Sequence, residues 1–417
     1  MKKALYLVAL LFCLFPYTQI IPLASYTQPY ALVFSTMAAI VAIPLVQDKF
    51  PRGDLTALTI LAMAGVLGFV VSCLPNPSPQ DFKYLLIYVS PLVFAVAAFA
   101  VTLEDPKMAD RVIVFAAGAW VLVGLIQTVI SPSFMTQLVG EFSDAGEVVI
   151  ESGRGTLGFA PEPTHFGFHM IILAALLALV GGRNLLALAC LATAVLIARS
   201  SSAVLALSLG TIIYLAVFGR WGRWLLIAIV PLYFILGGIL DSGLLPNDLR
   251  VVQLLKSFYE DPWYLITADT SANMRLGGIW VGLQESFERG FIPAGLNSAQ
   301  WEAAVGPIMA RNPWLIGLSP AGIASGLLIV VYQLGVLGLG LMIYLTVRML
   351  RGLRSHFETF LLCSVVFVFM SQYMISTPGY GLILGVLAAR RVLAERADLG
   401  QRLSAPTTPP NRALAVA

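Results

Sequence analysis

Long apolar runs dominate the pattern of hydrophobic and polar positions along this chain. An α-helix needs about 20 mostly apolar residues to cross a bilayer, because its backbone polar groups must be satisfied internally. Runs that approach this length, bounded by charges or by Pro, Gly and Asn, predict an all-α integral membrane protein with about 12 transmembrane helices. The predicted spans are residues 4–22, 28–46, 55–74, 84–103, 112–131, 157–180, 185–198, 203–218, 225–243, 318–347, 359–376 and 379–394.

The composition supports the same fold class. Of the 417 residues, 59% are hydrophobic and 11% are charged, and the mean hydropathy is +0.87. A water-soluble protein of this size would need a larger polar surface than these charges can supply. The lipid bilayer is therefore the expected solvent, and a net charge of +3 gives no support to nucleic-acid binding.

Cysteine usage indicates neither a metal centre nor a redox centre. The four cysteines lie in or beside apolar stretches, where a thiol behaves as a small hydrophobic group, and no Cys-x-x-Cys pair occurs. No cofactor is expected.

The distribution of Lys and Arg predicts the orientation. With a cytoplasmic N-terminus, most of the 25 basic residues fall on the cytoplasmic side, as the positive-inside rule requires. Residues 1–397 then form a polytopic membrane domain with both termini in the cytoplasm, and 398–417 read as a disordered cytoplasmic tail. The first run follows Lys2 and Lys3 like a signal peptide, but no cleavage site follows it, so a membrane anchor is expected.

Two outer segments, 132–156 and 244–317, are long, so the functional face is expected outside the cytoplasm, which in a Gram-negative cell is the periplasm. Within the second segment, residues 274–287 predict an amphipathic helix near the membrane surface, and residues 247–259 predict a shorter one.

Arg199 carries a clear physical signal. Two membrane crossings use all the residues between Gly182 and Arg220, so none is left for an outer loop. Arg199 must therefore lie in a turn at or below the outer boundary of the bilayer. An intramembrane cation marks a functional site or a buried ion pair. Snorkelling to the interface, or pairing with Asp241, remains the structural alternative.

A second cluster follows Arg154, in the run RGTLGFAPEPTHFGFHM. Two prolines flank Glu162, so the start of the sixth span is expected to be irregular and to border a cavity. Glu162, His165 and His169 are spaced to share one helical face, so a Glu-His-His metal site is an alternative to separate roles. A carboxylate that stabilises a helix N-terminus, and histidines that only pack, are the structural alternatives.

Arg275 and Arg289 lie 14 residues apart on the predicted amphipathic helix, and Arg311 precedes the tenth span. Exposed arginines are usually solvated. No Gly-x-Ser-x-Gly, Walker or dinucleotide motif occurs, and the glycines within spans are typical of helix packing.

Three segments in order give the chain a resemblance to a known family: RGTLGFAPEPTHFGFHM, ARSSSAVLAL, and MRLGGIWVGLQESFERGFIPAGLNS with the following span that contains YQLGVLGLGL. They are similar to those of the O-antigen polymerase and ligase superfamily, of the Wzy and WaaL types. The resemblance covers residues 150–345 and the layout of spans with a large late outer loop.

The resemblance implies a membrane glycosyltransferase of the bacterial inner membrane that acts at the periplasmic face on an undecaprenyl-diphosphate-linked glycan. It implies that Arg154, Arg199 and Arg275 bind the diphosphate, and Arg311 is a further candidate for the same role. Arginine suits this role because it keeps its charge and offers several donors. Glu162 or His165 would take the proton of the acceptor hydroxyl.

Ligases of this superfamily commonly carry a His-Asn pair before the tenth span, where this chain has LIGLSPAGIASG. The expected function is therefore polymerisation, in which one lipid-linked glycan is transferred onto another without a metal, to build an O-antigen of lipopolysaccharide or an exopolysaccharide. A chain-length regulator is a candidate partner. Ligation to lipid A core, or a polysaccharide transporter or flippase with the same number of spans, are the alternatives.

Overall fold

The structure, a computed structural model, describes most of the chain. The described residues are 2–20, 27–139, 155–219, 224, 231, 234–235, 237–240, 242, 250–261, 263, 267, 270–316, 318–319, 322–371 and 373–404.

Helices account for nearly all regular structure in these residues, and no strand occurs among them. A 3₁₀ turn lies at Thr136–Val139, and a π turn at Thr193–Ile197 directly follows the helix Asn184–Ala192. The helices are α1 Lys2–Leu14, α2 Tyr30–Lys49, α3 Arg52–Ser72, α4 Pro79–Glu104, α5 Pro106–Val129, α6 Pro163–Gly181, α7 Asn184–Ala192, α8 Ser201–Phe218, α9 Arg250–Glu260, α10 Thr270–Glu288, α11 Ser298–Arg311, α12 Leu328–Leu350, α13 His356–Ser371 and α14 Pro378–Ser404.

The lengths and compositions of the helices are compatible with a membrane protein, and the predicted number of about 12 spans is not confirmed. Within the described part of the chain, seven helices are long and apolar enough to cross a bilayer, namely α2, α3, α4, α5, α6, α8 and α12. Two shorter apolar helices cover Asn184–Ile197 and His356–Ser371. The predicted span 225–243 lies largely outside the described residues.

The core lies around α6 and α4. Almost every residue of α6 from Phe166 to Leu179 is buried, so this helix is surrounded by its neighbours on all sides. α14 packs closely against α4. A Cβ on Gly385 would lie 2.2 Å from the Ala95 carbonyl oxygen, so the close approach requires glycine there.

Ion pairs gather at one end of the bundle, which we call the ion-pair end. Asp54, in the first turn of α3, binds both Arg348 of α12 and Arg391 of α14, each with an N···O distance of 2.5 Å. Further pairs at this end are Lys2 with Glu104, Lys3 with Asp105, Arg183 with Asp110, and Arg390 with Glu358. The basic residues predicted to share one side of the membrane therefore lie at the same end.

The opposite end contains the N-terminus of α6 and the helices α10 and α11, and we call it the Glu162 end. The backbone N–H of Ser298 donates to Asp81, near the start of α4, with a distance of 2.8 Å. The Asn297 side chain donates to the carbonyl oxygen of Ser72 at the end of α3. These contacts fix the second predicted outer segment to the end of the bundle that faces away from the ion pairs.

The span predicted at 318–347 is present as α12, but it begins later than predicted. The helix begins at Leu328, and the chain before it is irregular although it is apolar. α12 is also broken at Gly335, where φ is 61° and ψ is −136°. The chain after α10 forms hydrogen bonds with the backbone at this break. The Val336 N–H donates to the Phe291 carbonyl, and the Ala294 N–H donates to the Tyr332 carbonyl.

α10 confirms the helix predicted at 274–287. Large apolar side chains face outward and polar side chains face the protein, which is the reverse of a helix on the surface of a soluble protein. Arg275 and Ser286 are buried, whereas Trp280 and Phe287 are 54% and 75% exposed. An apolar outer face of this kind is expected for a helix in contact with lipid. α9 confirms the shorter predicted helix over Arg250–Glu260, and residues 247–249 lie outside the described residues.

Two helix boundaries differ from the predictions, and one helix was not predicted. α1 ends at Leu14, whereas the predicted first span continued to residue 22. α11, at Ser298–Arg311, was not predicted; it is shorter than a membrane span and has Pro307 inside it. α14 continues to Ser404, so the first residues of the predicted disordered tail are helical.

Candidate functional site

The irregular start of α6, predicted from its prolines, is confirmed. Glu162 is the N-cap residue in an extended conformation, and Pro163 takes the first helical position, where a missing N–H costs nothing. Gln127 of α5 fixes the approach, because its side-chain amide both donates to the Gly158 carbonyl and accepts from the Gly158 N–H, at 3.0 and 2.7 Å. The first turn of α6 therefore has a defined position at the Glu162 end.

Arg275 reaches this first turn from α10. Its Nη2 donates to the hydroxyl of Thr164, with a distance of 3.0 Å, and the residue is only 5% exposed. Two residues earlier, the side chain of Asn273 holds the backbone of Trp314 and Ile316, which fixes α10 to the chain after α11. A buried guanidinium is thus held beside Glu162 and His165.

His165 lies among charged and aromatic groups. Its ring centroid is 5.7 Å from that of Tyr17 and 6.0 Å from that of Tyr373. The carboxylate of Glu162 and the guanidinium of Arg275 both act electrostatically on the ring. An acid, an imidazole and a cation therefore share one small region, as predicted for Glu162, His165 and Arg275.

His169 lies one turn deeper in α6 and has a different environment. Its Nε2 is 2.9 Å from the carbonyl oxygen of Leu14, which only accepts, so Nε2 carries the proton. Trp120 donates to the same carbonyl at 3.0 Å. His169 thereby connects α6 to the end of α1, and among the described residues no group of three His, Cys, Asp or Glu side chains is arranged to hold a metal.

Arg199 occupies the turn between α7 and α8. Only residues 198–200 separate Ile197 from Ser201, which confirms that the hairpin has no loop. Arg199 is exposed and has φ of 46°, a left-handed conformation that is uncommon outside glycine. Asp241, its alternative partner, lies outside the described residues.

The turn at Arg199 contacts the chain that leads into α6. The Thr156 N–H donates to the Ile197 carbonyl at 3.3 Å. A Cβ on Gly155, which has φ of 96°, would lie 2.3 Å from the Ala198 carbonyl oxygen, so the close approach requires glycine. Ser200 packs against Gly167, which is three residues after Thr164 in α6. Arg199 and Arg275 thus belong to elements that meet the same end of α6.

Arg311 lies elsewhere. It binds Glu285 and Glu288 at 2.5 and 3.1 Å, and its side chain is 51% exposed. Glu285 follows Arg275 by ten residues in α10, a separation of about 15 Å along the helix axis. Burial raises the pKa of Glu285 above its usual value, and Arg311 opposes that shift. The structure therefore does not bring Arg311 to Arg275.

Arg289 and Arg154 are the two remaining arginines that the sequence singled out. Arg289 follows the end of α10 and lies over the ring of Tyr332, 5.8 Å from its centroid. Arg154 lies outside the described residues.

Three residues of this region were not identified from the sequence. Thr164 stands beside Glu162 in the prominent PEPTH run, and its place two residues from the N-cap could have indicated a role. Tyr17 and Tyr373 form a hydrogen bond between their hydroxyls, but they lie 356 positions apart, and neither stands in a recognisable motif.

Comparison with models of protein families finds no family that matches this chain, and comparison with curated proteins finds no match.

Proposed function

We propose that this protein is a membrane glycosyltransferase, a polysaccharide polymerase that transfers an undecaprenyl-diphosphate-linked glycan onto another lipid-linked glycan. One observation carries the proposal: buried Arg275 binds Thr164 on the same helical turn that contains Glu162 and His165. This places a cation suited to a diphosphate beside two candidate bases.

The proposed topology extends the same argument. Twelve crossings put the ion-pair end in the cytoplasm and the Glu162 end in the periplasm, with the protein in the bacterial inner membrane. The pairing of basic residues at the opposite end from Arg275 supports this orientation, since cytoplasmic ends are enriched in Lys and Arg. The lipid-linked donor is then reached from the outer leaflet.

The reaction requires charge stabilisation on the leaving group. A bond forms between the acceptor hydroxyl oxygen and the anomeric carbon, while the bond from that carbon to the diphosphate oxygen breaks and its electron pair leaves with undecaprenyl diphosphate. Arg275, assisted by Arg199, stabilises the growing negative charge. Glu162 or His165 accepts the proton of the acceptor hydroxyl. Attack from the face opposite the diphosphate inverts the anomeric configuration.

Arg311 has a smaller part in this proposal than the sequence implied. Its two carboxylate partners already neutralise it, and one of them, Glu285, lies about 15 Å from Arg275 along the α10 axis. Arg154 keeps its proposed role in diphosphate binding.

The test uses purified full-length protein and lipid-linked oligosaccharide extracted from host membranes. Elongation of the glycan and release of undecaprenyl diphosphate, measured by mass spectrometry, are the expected results. Arg275→Ala should lower kcat by about a hundredfold or more. Arg351→Gln, which removes an exposed arginine at the ion-pair end, is the matched control and should retain activity. Activity should also survive a metal chelator.

The alternatives give different results in the same preparation. Transfer to lipid A core without chain growth would identify a ligase. Movement of the lipid-linked glycan between leaflets without a covalent change would identify a transporter. Full activity of Arg275→Ala would contradict the proposed role of that residue.

A further inference from the structure

Thr164 connects Arg275, the candidate diphosphate-binding residue, to the part of α6 that contains the candidate bases. Its hydroxyl accepts a hydrogen bond from Nη2 of Arg275 with a distance of 3.0 Å, and it lies in the first turn of α6 between Glu162 and His165. The bond connects residues that lie 111 positions apart, on two helices that are far apart in the chain. The hydrogen bond therefore holds the Arg275 guanidinium of α10 against the start of α6, where Glu162 and His165 lie.

Thr164 is well suited to hold an arginine in one direction. A threonine in a helix has two favoured χ1 rotamers, because its β-carbon is branched, so few positions are open to its hydroxyl. The arginine side chain has many rotamers, and a fixed acceptor selects among them. After accepting from Arg275, the hydroxyl still has its own proton to donate.

We propose that Thr164 is a positioning residue, which holds the Arg275 guanidinium in the orientation that meets the leaving diphosphate. This inference rests on the proposed function and adds a residue to it. Thr164 acts through Arg275, so its effect belongs to the transition state, in which the charge on the diphosphate grows, more than to binding of the lipid-linked substrate.

The experiment compares two substitutions at one position. Thr164→Val keeps the shape and removes the acceptor, and it should lower kcat about tenfold while KM for the lipid-linked oligosaccharide changes by less than about twofold. Thr164→Ser restores the hydroxyl and should recover most of the rate. Thr211→Val is the matched control, because the Thr211 hydroxyl is also half-buried but bonds within its own helix, to the Leu207 carbonyl.

A double-mutant cycle separates positioning from a general structural effect. Thr164→Val should cost about tenfold in the wild-type background and almost nothing in the Arg275→Gln background, because the arginine through which Thr164 acts is then absent. Unfolding temperatures of the single variants show whether either has lost its fold.

The possible failures are distinguishable. A wild-type protein that releases no undecaprenyl diphosphate overturns the proposed function, and this inference with it. An active wild type with an equally active Thr164→Val, or with losses that multiply in the double variant, overturns only the role of Thr164.

Discussion

The hydroxyl of Tyr17 donates a hydrogen bond to the hydroxyl of Tyr373, with 2.6 Å between the two oxygens. Tyr17 follows α1 and Tyr373 follows α13, and both residues are fully buried beside His165. The bond ties the first and thirteenth helices together next to the candidate site. A buried polar pair of this kind stabilises a fold only while both partners are present.

Removal of one partner should therefore cost more than removal of both. Tyr373→Phe leaves the Tyr17 O–H without its acceptor and should destabilise the protein by about 1–3 kcal/mol. The double variant with Tyr17→Phe should be more stable than the sum of the two single effects predicts. The measurement is thermal unfolding in detergent, followed by a thiol-reactive dye, since the four cysteines are free and buried until the chain unfolds.

Tyr380→Phe is the matched control for these variants. The Tyr380 hydroxyl is buried and has no hydrogen-bond partner among the described residues. Its removal should leave the unfolding temperature unchanged or raise it, because an unsatisfied buried hydroxyl is costly. Equal losses in Tyr373→Phe and Tyr380→Phe would show that the hydrogen bond contributes nothing measurable.

Asp54 should be the most sensitive carboxylate of the ion-pair end. Asp54→Asn leaves the guanidinium groups of Arg348 and Arg391 without their shared counter-charge in a largely buried region. Breaking a buried pair from one side typically costs about 3–5 kcal/mol, and the partial exposure of both arginines places the expected loss near the lower value. The same unfolding assay measures it.

The pair between Arg183 and Asp110 provides the comparison, because the Arg183 side chain is 55% exposed. An exposed ion pair is screened by solvent, so Asp110→Asn should change the unfolding temperature much less. Similar losses in the two variants would mean that the Asp54 cluster is as well solvated as the surface pair.

Glu285 should make stability depend on pH in the acidic range. Burial raises its pKa above the usual value of 4.5. The folded protein thus holds this proton more tightly than the unfolded chain does, and the corresponding stabilisation is complete below pH 4.5 and lost as the pH rises through the folded-state pKa. The unfolding temperature of the wild type should therefore fall relative to that of Glu285→Gln over this interval. A constant difference between the two proteins across acidic pH would contradict the shift.

The sequence was informative where the determinant is local. Apolar runs located α2 to α5 because a membrane span is defined by the length and composition of one continuous segment. The prolines around Glu162 correctly indicated an irregular start of α6. The absence of a loop at Arg199 followed from counting residues.

The errors arose where contacts distant in the chain decide the structure. The apolar stretch before Leu328 has the composition of a span, but Leu327 donates to the Phe369 carbonyl of α13 rather than within a helix. The partners of Arg311, Glu288 and Glu285, lie 23 and 26 positions earlier in the chain, so these ion pairs could not be inferred from the sequence. The Tyr17–Tyr373 pair had no sequence signal at all.

Gly335 should be irreplaceable in α12, and its effect can be isolated within one helix. Its φ of 61° and ψ of −136° are accessible essentially to glycine alone, and a Cβ there would lie 2.1 Å from the Phe291 carbonyl oxygen. The Phe291 carbonyl accepts a hydrogen bond from the Val336 N–H. A shift of the backbone would therefore also break this bond between α12 and the chain after α10. Gly335→Ala should destabilise the protein by about 2–4 kcal/mol, the sum of backbone strain and a lost buried hydrogen bond.

Gly340→Ala is the matched control, since nothing lies within 4 Å of its added methyl group. It should stabilise the helix by about 0.5–1 kcal/mol. If the two alanine variants unfold at the same temperature, α12 is continuous through Gly335, and the segment after α10 does not depend on the break for its position.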